Sequence, residues 1–129
     1  MWWRELDVAA PCAKVWALLT DTSVWPQWGP TVRAARLDHP GVEIAAGSTG
    51  AVRTPLGVWL PFEVTAYDNG ARTWSWRVAG VAATSHRVRS TGPRSCRVGF
   101  GVPWWAPAYL VVCERGLRRV RTLAEGSGS

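Results

Sequence analysis

The sequence predicts an α+β fold: an antiparallel sheet of six or seven strands, two short helices after the first strand, and a long C-terminal helix. Two observations carry this prediction. Segments of alternating apolar and polar residues are separated by short turns rich in Gly, Pro, Asn and Asp, and such turns join antiparallel strands. The segment after Pro107 has no further proline and keeps a helical spacing of apolar residues to about Ala124.

The N-terminal part predicts one strand and two helical segments. Residues 3–8 form the strand, and Pro11 is well placed to begin a helix because its fixed φ suits the first turn. Residues 15–19 carry a broad apolar stripe, and residues 21–23 supply a turn. Trp25 and Trp28 are three residues apart, so they share a face if the second segment is helical.

Six more strands are predicted from alternation and turn signals. They lie at residues 31–37, 49–54, 58–67, 73–78, 81–90 and 95–101. Residues 42–46 are either the hairpin partner of the first of these or a loop. Alternation places Glu63 and Arg77 on the outer, solvent-facing side of their strands, and Trp74 and Trp76 on the face opposite Arg77.

The last helix is predicted from Trp104 to about Ala124. Its first half is apolar all round, which predicts that Leu110 and Val111 are covered as well as the side that faces the sheet. Gly116 in its middle costs about 1 kcal/mol relative to alanine, and a close approach by a strand would explain it.

These features resemble a known family. The Ala-Pro turn before Val15-Trp-Ala-Leu-Leu-Thr-Asp21, the Trp25-Pro-Gln-Trp28 turn, the β-rich middle and the long last helix resemble the polyketide cyclase/dehydrase branch of the START-like (SRPBCC, or Bet v 1-like) superfamily. The resemblance runs from about Val8 to Ala124. It implies a helix-grip fold, in which a strongly curved antiparallel sheet wraps the C-terminal helix and leaves an apolar cavity between them.

Size and composition predict one globular domain. At 129 residues, with 47% hydrophobic and 19% charged residues, the chain is expected to form a single START-like domain over residues 1–125, with a flexible tail at residues 126–129. The longest uncharged run, residues 98–113, is shorter than the roughly 20 residues that cross a bilayer. The three cysteines lie far apart with no zinc-binding spacing, so we expect no metal site and a reduced, cytoplasmic location.

The net charge of +6 raises the question of a polyanionic partner. All but one of the 15 basic residues are arginines, and apart from Arg118, Arg119 and Arg121 they are scattered along the chain. This pattern argues against a nucleic-acid partner. The sequence also lacks a phosphate-binding glycine loop and a nucleophile elbow, so no cofactor is expected. It makes no prediction of oligomeric state.

The 10 tryptophans are the strongest compositional signal. Packing in the core explains some of them, but so many indoles, each with an N–H that needs a partner, also favour an aromatic cavity wall. The resemblance implies the same, because the Trp-Pro-x-Trp turn and the start of the last helix border the cavity in relatives. The predicted ligand-binding residues are Trp28, Trp59, Tyr67, Trp74, Trp76, Trp104, Trp105 and Val112.

His86 and Tyr109 are the candidate catalytic residues. Alternation places His86 on the inner face of its strand with Thr84 and Val88. A hydrogen-bonded core or rim histidine is the preferred interpretation. A cavity-facing one would be the first candidate for acid/base work, since its ordinary pKa is near neutral. Tyr109 is expected to donate a hydrogen bond to a ligand carbonyl.

The predicted function is binding of a hydrophobic, aromatic, polyketide-like or lipid-like small molecule in an internal cavity. One version is a cofactor-independent aromatase/cyclase or dehydratase-like enzyme, which the resemblance favours. Another is a non-catalytic carrier or sensor of a lipid or quinone, which the small number of polar candidates favours. A third is a protein-interaction module of the chaperone-activator type, supported only by the basic end of the last helix.

Overall fold

One antiparallel sheet of seven strands, three α-helices and a 3₁₀ turn make up residues 1–126, which the computed structural model describes. The elements in chain order are β1 (Trp2–Val8), α1 (Cys12–Thr20), α2 (Trp25–Trp28), β2 (Ala34–Leu37), β3 (Thr49–Arg53), β4 (Trp59–Asp68), β5 (Thr73–Val78), β6 (Val81–Gly92), β7 (Ser95–Val102), the 3₁₀ turn (Pro107–Tyr109) and α3 (Leu110–Gly126).

The sheet order is β1-β7-β6-β5-β4-β3-β2, so neighbours in sequence are neighbours in space except for β1. β1 pairs with the last strand, from Trp2 opposite Val102 to Val8 opposite Cys96. The α1–α2 segment therefore passes from one edge of the curved sheet to the other, and α3 packs against β1, β7 and both short helices. This arrangement confirms the predicted α+β helix-grip fold.

The Trp25-Pro-Gln-Trp28 turn closes the C-terminal end of α1. The last carbonyls of a helix have no partner within the helix. The Trp25 indole Nε1–H donates to the Leu19 carbonyl, and the Trp28 indole Nε1–H donates to the Leu18 carbonyl, both at 2.9 Å. Both tryptophans are buried. The motif thus fixes α2 against α1 and places two indoles in the core.

The start of α3 differs from the prediction. The helix begins at Leu110, because Pro103 and Pro107 interrupt the segment before it with a turn and a 3₁₀ turn. Val111 is 67% exposed and so is not covered as predicted. It lies on the side of α3 that faces away from the sheet, whereas Leu110 and Cys113 are buried.

Two other boundaries also differ. β2 begins at Ala34, three residues later than predicted, because the backbone turns at Gly29, whose carbonyl accepts a hydrogen bond from Val32 N. Residues 42–46 are a loop that runs along the end of α1, with an isolated antiparallel bridge between Asp21 and Glu43. Gly126, assigned to the flexible tail, is the last residue of α3, and residues 127–129 lie outside the described part of the chain.

Gly116 lies where α3 crosses α2. A side chain there would meet Phe100 Cε2 of β7 at 3.2 Å and the Trp28 carbonyl oxygen at 3.3 Å. The predicted close approach is therefore confirmed for a β7 side chain, and the C-terminal residue of α2 approaches equally closely. The absence of a side chain lets α3 come close to the aromatic core.

Gly50 of β3 packs closely against β2, the strand at one edge of the sheet. A Cβ at this buried position would overlap the Arg36 carbonyl oxygen and lie 2.9 Å from the Phe62 ring. We expect Gly50→Ala to lower the free energy of unfolding by about 2 kcal/mol in urea denaturation. Gly70→Ala, whose Cβ would meet only Asp68 Oδ1 at 3.4 Å, is expected to stay within about 0.5 kcal/mol of the wild type. Equal effects would contradict this account.

No helix within residues 1–126 is long and apolar enough to cross a membrane.

Candidate functional site

A cavity with two adjoining chambers, which share part of their lining, lies between the sheet, the loop after α2 and the N-terminal part of α3. The inner chamber has a volume of about 50 Å³ and the outer chamber about 350 Å³. Five residues line both chambers and mark their junction: Thr31, Val32, Trp76, Thr84 and Tyr109. The inner chamber could hold a few waters or a small substituent, whereas the outer one is large enough for a small molecule.

Stacked aromatic rings build the wall of the inner chamber. Trp74 stacks on Trp25 with ring centroids 5.4 Å apart and planes 3° apart, and the His86 ring stacks on Trp74 at 3.9 Å. Phe100 and Trp28 contact His86 edge-on, at 5.1 and 6.2 Å. Alternation had placed Trp74 and His86 on the inner faces of β5 and β6, and the structure places them there, opposite one another in the ladder.

The polar groups of this wall form a hydrogen-bond chain whose direction is fixed. The Trp74 carbonyl can only accept, so His86 Nδ1 carries the proton and donates to it at 3.2 Å. His86 Nε2 therefore accepts, at 3.0 Å, from the Thr84 hydroxyl. That hydroxyl accepts in turn from the Trp76 indole Nε1–H, also at 3.0 Å. Both imidazole nitrogens are thus occupied within the wall.

Burial keeps His86 neutral. Its side chain is 3% exposed, and loss of hydration lowers its pKa from the ordinary value to about 3, although the hydrogen bond to Trp74 acts in the opposite direction. The imidazolium form is therefore not populated near neutral pH. The geometry is that of a hydrogen-bonded core histidine whose ring also lines the cavity.

Tyr109 lies at the junction of the two chambers. Its hydroxyl is 2.8 Å from the Thr31 hydroxyl, and either of them can be the donor. Burial raises the pKa of Tyr109, so the phenol is protonated and able to donate a hydrogen bond. The Trp74 indole Nε1, by contrast, is buried and has no hydrogen-bond partner within residues 1–126.

The structure brings most of the predicted site residues to the cavity. Trp28, Trp74, Val112 and His86 line the inner chamber, Trp105 lines the outer chamber, and Trp76 and Tyr109 line both.

Three predicted ligand-binding residues do not line either chamber. Trp59 lies on the outer face of β4 under the Arg36 guanidinium, because its neighbour Leu60 points inward. Tyr67 lies on the inner face but packs against Trp16 of α1, at 5.8 Å between ring centroids. Trp104 is 71% exposed, since the chain has not yet entered α3 at this point.

Sequence reasoning did not identify several lining residues. Thr31 and Val32 were assigned to a strand, but they belong to the loop that closes the cavity. Ala83 lines the outer chamber next to Thr84 because the β5–β6 register shifts between Ser75 and Arg77. Such a β-bulge puts two residues opposite one, and no sequence signal here marks it.

Thr84→Val tests the hydrogen-bond chain. The substitution keeps the shape of the side chain but leaves the Trp76 N–H and His86 Nε2 without a partner in the wall. We expect the free energy of unfolding to fall by about 2 kcal/mol, measured by urea denaturation. Thr65→Val makes the same chemical change at an exposed position of β4 and is expected to shift it by less than about 0.5 kcal/mol. If Thr84→Val is as stable as the wild type, the hydrogen-bond chain contributes nothing to the stability of the protein.

Within the described residues, no group of three or more His, Cys, Asp or Glu side chains is placed to hold a metal ion.

Comparisons with known proteins agree with this architecture. The family model described as polyketide cyclase / dehydrase and lipid transport matches residues 4–125. A search of curated proteins found no match.

Solved structures share the fold at low sequence identity, and at such identity the likeness concerns the fold alone. XoxI from Bacillus cereus is 13% identical with a TM-score of 0.74, covering 99% of this chain and 97% of that one. The aromatase/cyclase Zhui from a Streptomyces species is 14% identical with a TM-score of 0.72, covering 96% and 92%. A point mutant of norcoclaurine synthase from Thalictrum flavum, in complex with a transition-state analogue, is 16% identical with a TM-score of 0.63, covering 99% and 95%.

Because the family model spans nearly the whole chain and the sheet encloses α3 and a cavity as a helix-grip fold requires, the chain belongs to the polyketide cyclase/dehydrase and lipid transport family of the START-like superfamily.

Proposed function

We propose that the protein encloses a hydrophobic small molecule, aromatic or polyketide-like, in the outer chamber of the cavity. The observation that carries the proposal is the chamber itself, with a volume of about 350 Å³ and a lining that is apolar except for a few hydroxyl groups. Small-molecule sites have volumes from about 300 Å³ upward, so the chamber suits one compact ligand.

An aromatic ligand fits the walls better than a flexible chain does. Trp76, Trp105 and Tyr109 line the chamber, and flat rings gain from offset or edge-on contacts with such side chains. Trp105 is 65% exposed, so it stands at the opening rather than in the interior. The ligand would enter beside it and be enclosed between β5, β6 and the 3₁₀ turn.

Binding alone is the simpler version of this function, because His86 has both nitrogens occupied and is neutral. A carrier or sensor needs no reactive group. A cyclisation or dehydration, which the family description supports, would depend on the chamber to fold the substrate and on the Tyr109 hydroxyl to donate a hydrogen bond to a carbonyl. His86 would then have a positioning role, because its hydrogen bond with Thr84, and that of Thr84 with Trp76, hold these side chains in the wall.

The setting of this function is part of the proposal. Cys12, Cys96 and Cys113 are free and buried, which suits a reduced, cytoplasmic environment.

Tryptophan fluorescence tests the proposal directly, because indoles line both chambers. We expect saturable quenching by one class in a panel of polycyclic aromatics, fatty acids and quinones. Ala83→Phe places a ring in the outer chamber and is expected to weaken that binding at least about tenfold, a change of about 1.4 kcal/mol. Ala66→Phe adds the same ring at an exposed position of β4 and is expected to leave it unchanged.

The absence of a response to every ligand class would contradict the proposal. The tryptophans would then serve packing, and the interaction-module alternative would gain support. Its own test is charge reversal at the exposed Arg118, Arg119 and Arg121 of α3, which should abolish a partner contact.

A further inference from the structure

The two chambers contain no group that could balance a ligand charge. Within residues 1–126, none of the lining side chains is an Asp, Glu, Lys or Arg. The titratable ones are neutral near pH 7: burial keeps His86 unprotonated and raises the pKa of the Cys113 thiol to about 11. A carboxylate or ammonium group moved into this cavity would lose its hydration without gaining a counter-ion.

Some hydrogen-bond donors in the cavity lining are not paired with an acceptor among the described residues. The Thr31 and Tyr109 hydroxyls make one hydrogen bond between them, so one of their two hydrogens is left over. The Trp74 indole N–H is a second donor that has no acceptor in the part of the chain that the structure describes. The imidazole acceptor in the wall, His86 Nε2, is already used by Thr84.

The unused hydroxyl hydrogen of the Thr31–Tyr109 pair lies where the inner end of a bound ligand would be. Thr31 and Tyr109 line both chambers, so the pair lies at the inner end of the outer chamber. A flat molecule that fills the outer chamber from its opening at Trp105 would bring its leading edge to this pair. An acceptor oxygen on that edge would recover the hydrogen bond that it loses on leaving water.

We propose that the cavity selects an uncharged aromatic ligand that carries an acceptor oxygen, such as an aryl ketone or a quinone. The Thr31–Tyr109 hydroxyl pair holds this oxygen. This selectivity rests on the proposed function, the enclosure of an aromatic ligand in the outer chamber. The same cavity rejects fatty acids and amines of similar size. This assignment narrows the ligand class and orients the ligand with its oxygen toward the inner chamber.

Equilibrium dialysis with a matched naphthalene series tests the selectivity. At pH 7 we expect acetylnaphthalene to bind about tenfold more tightly than ethylnaphthalene, which has no acceptor oxygen. Naphthoate and naphthylmethylammonium are expected to bind at least about tenfold more weakly than ethylnaphthalene. Equal affinity for the ketone and the hydrocarbon, or tight binding of naphthoate, would overturn the inference.

The double variant Thr31→Val/Tyr109→Phe tests the assignment to the hydroxyl pair. It removes both hydroxyls and nearly conserves their shape, and replacing both partners of a hydrogen bond in this way costs little stability. We expect the affinity for acetylnaphthalene to fall to that for ethylnaphthalene, while the affinity for ethylnaphthalene changes less than about twofold. Retention of the ketone preference in this variant, or its loss in Trp74→Phe instead, would overturn the assignment.

The outcomes also separate this inference from the function on which it rests. If none of the four compounds binds, the proposed enclosure of an aromatic ligand fails. If the hydrocarbon binds as well as the ketone, enclosure stands and the selectivity for an acceptor oxygen fails.

Discussion

Acidification from pH 7 to pH 4 is expected to lower the free energy of unfolding by about 3 kcal/mol through His86 alone. The pKa of His86 is about 3 in the folded protein and returns to its ordinary value, 6.5, on unfolding. Between these two values the unfolded chain binds one proton more than the folded chain. The contribution of neutral His86 to the free energy of unfolding is therefore fully present above pH 6.5. It is lost at about 1.4 kcal/mol per pH unit as the pH falls toward 3.

The surroundings of His86 explain why no other group relieves this effect. The side chains that contact it are the rings of Trp28, Trp74, Trp76 and Phe100 and the hydroxyl of Thr84. Among the described residues, none of its hydrogen-bond or ring contacts is a carboxylate that could stabilise an imidazolium. Protonation would also cost the hydrogen bond from Thr84, since Nε2 would then carry a hydrogen.

Urea denaturation between pH 4 and pH 8, followed by circular dichroism, measures the effect. Carboxylates elsewhere titrate as well, so the comparison is with His86→Asn, which we expect to remove most of the slope between pH 4 and 6.5. The same slope in the wild type and in His86→Asn would refute the assignment.

The inner face of the sheet could be predicted because alternation is a local property of the chain. Trp74, Trp76, Thr84 and His86 were placed on one side of their strands, and all four line the cavity. Glu63 and Arg77 were placed outside, and they form an exposed ion pair at 3.6 Å. A strand has only two faces, so a correct strand assignment fixes the direction of each side chain.

The edges of the cavity could not be predicted, because they depend on contacts between distant segments. Tyr67 has the inward direction that alternation requires, yet α1 covers it with Trp16. The backbone turn at Gly29 and the delayed start of α3 decide that Thr31 lines the junction and that Trp104 does not line either chamber. The direction of the hydrogen bond at His86 also follows from the pairing of β5 with β6, which a single strand does not reveal.

Trp25→Ala is expected to lower the free energy of unfolding by about 4 kcal/mol, the range for truncating a large aromatic side chain in a core. Trp25 is 2% exposed, and its ring packs against Phe62, Trp74 and Trp76, with centroids between 5.3 and 5.6 Å apart. The variant opens a void in the stacked wall of the inner chamber, which Trp25 itself lines. It also removes the indole N–H that satisfies the Leu19 carbonyl at the end of α1.

Trp105→Ala is the matched control, because it deletes the same side chain from the opening of the cavity. Trp105 is 65% exposed, so we expect its loss to change the free energy of unfolding by less than about 1 kcal/mol. Urea denaturation followed by far-ultraviolet circular dichroism measures both variants without relying on the deleted fluorophore. Similar losses at the two positions would contradict the division of the tryptophans into a packed wall and an exposed rim. A large loss at Trp25 alone would show that the wall of the inner chamber depends for its stability on its buried indoles and not on the exposed indole at the opening.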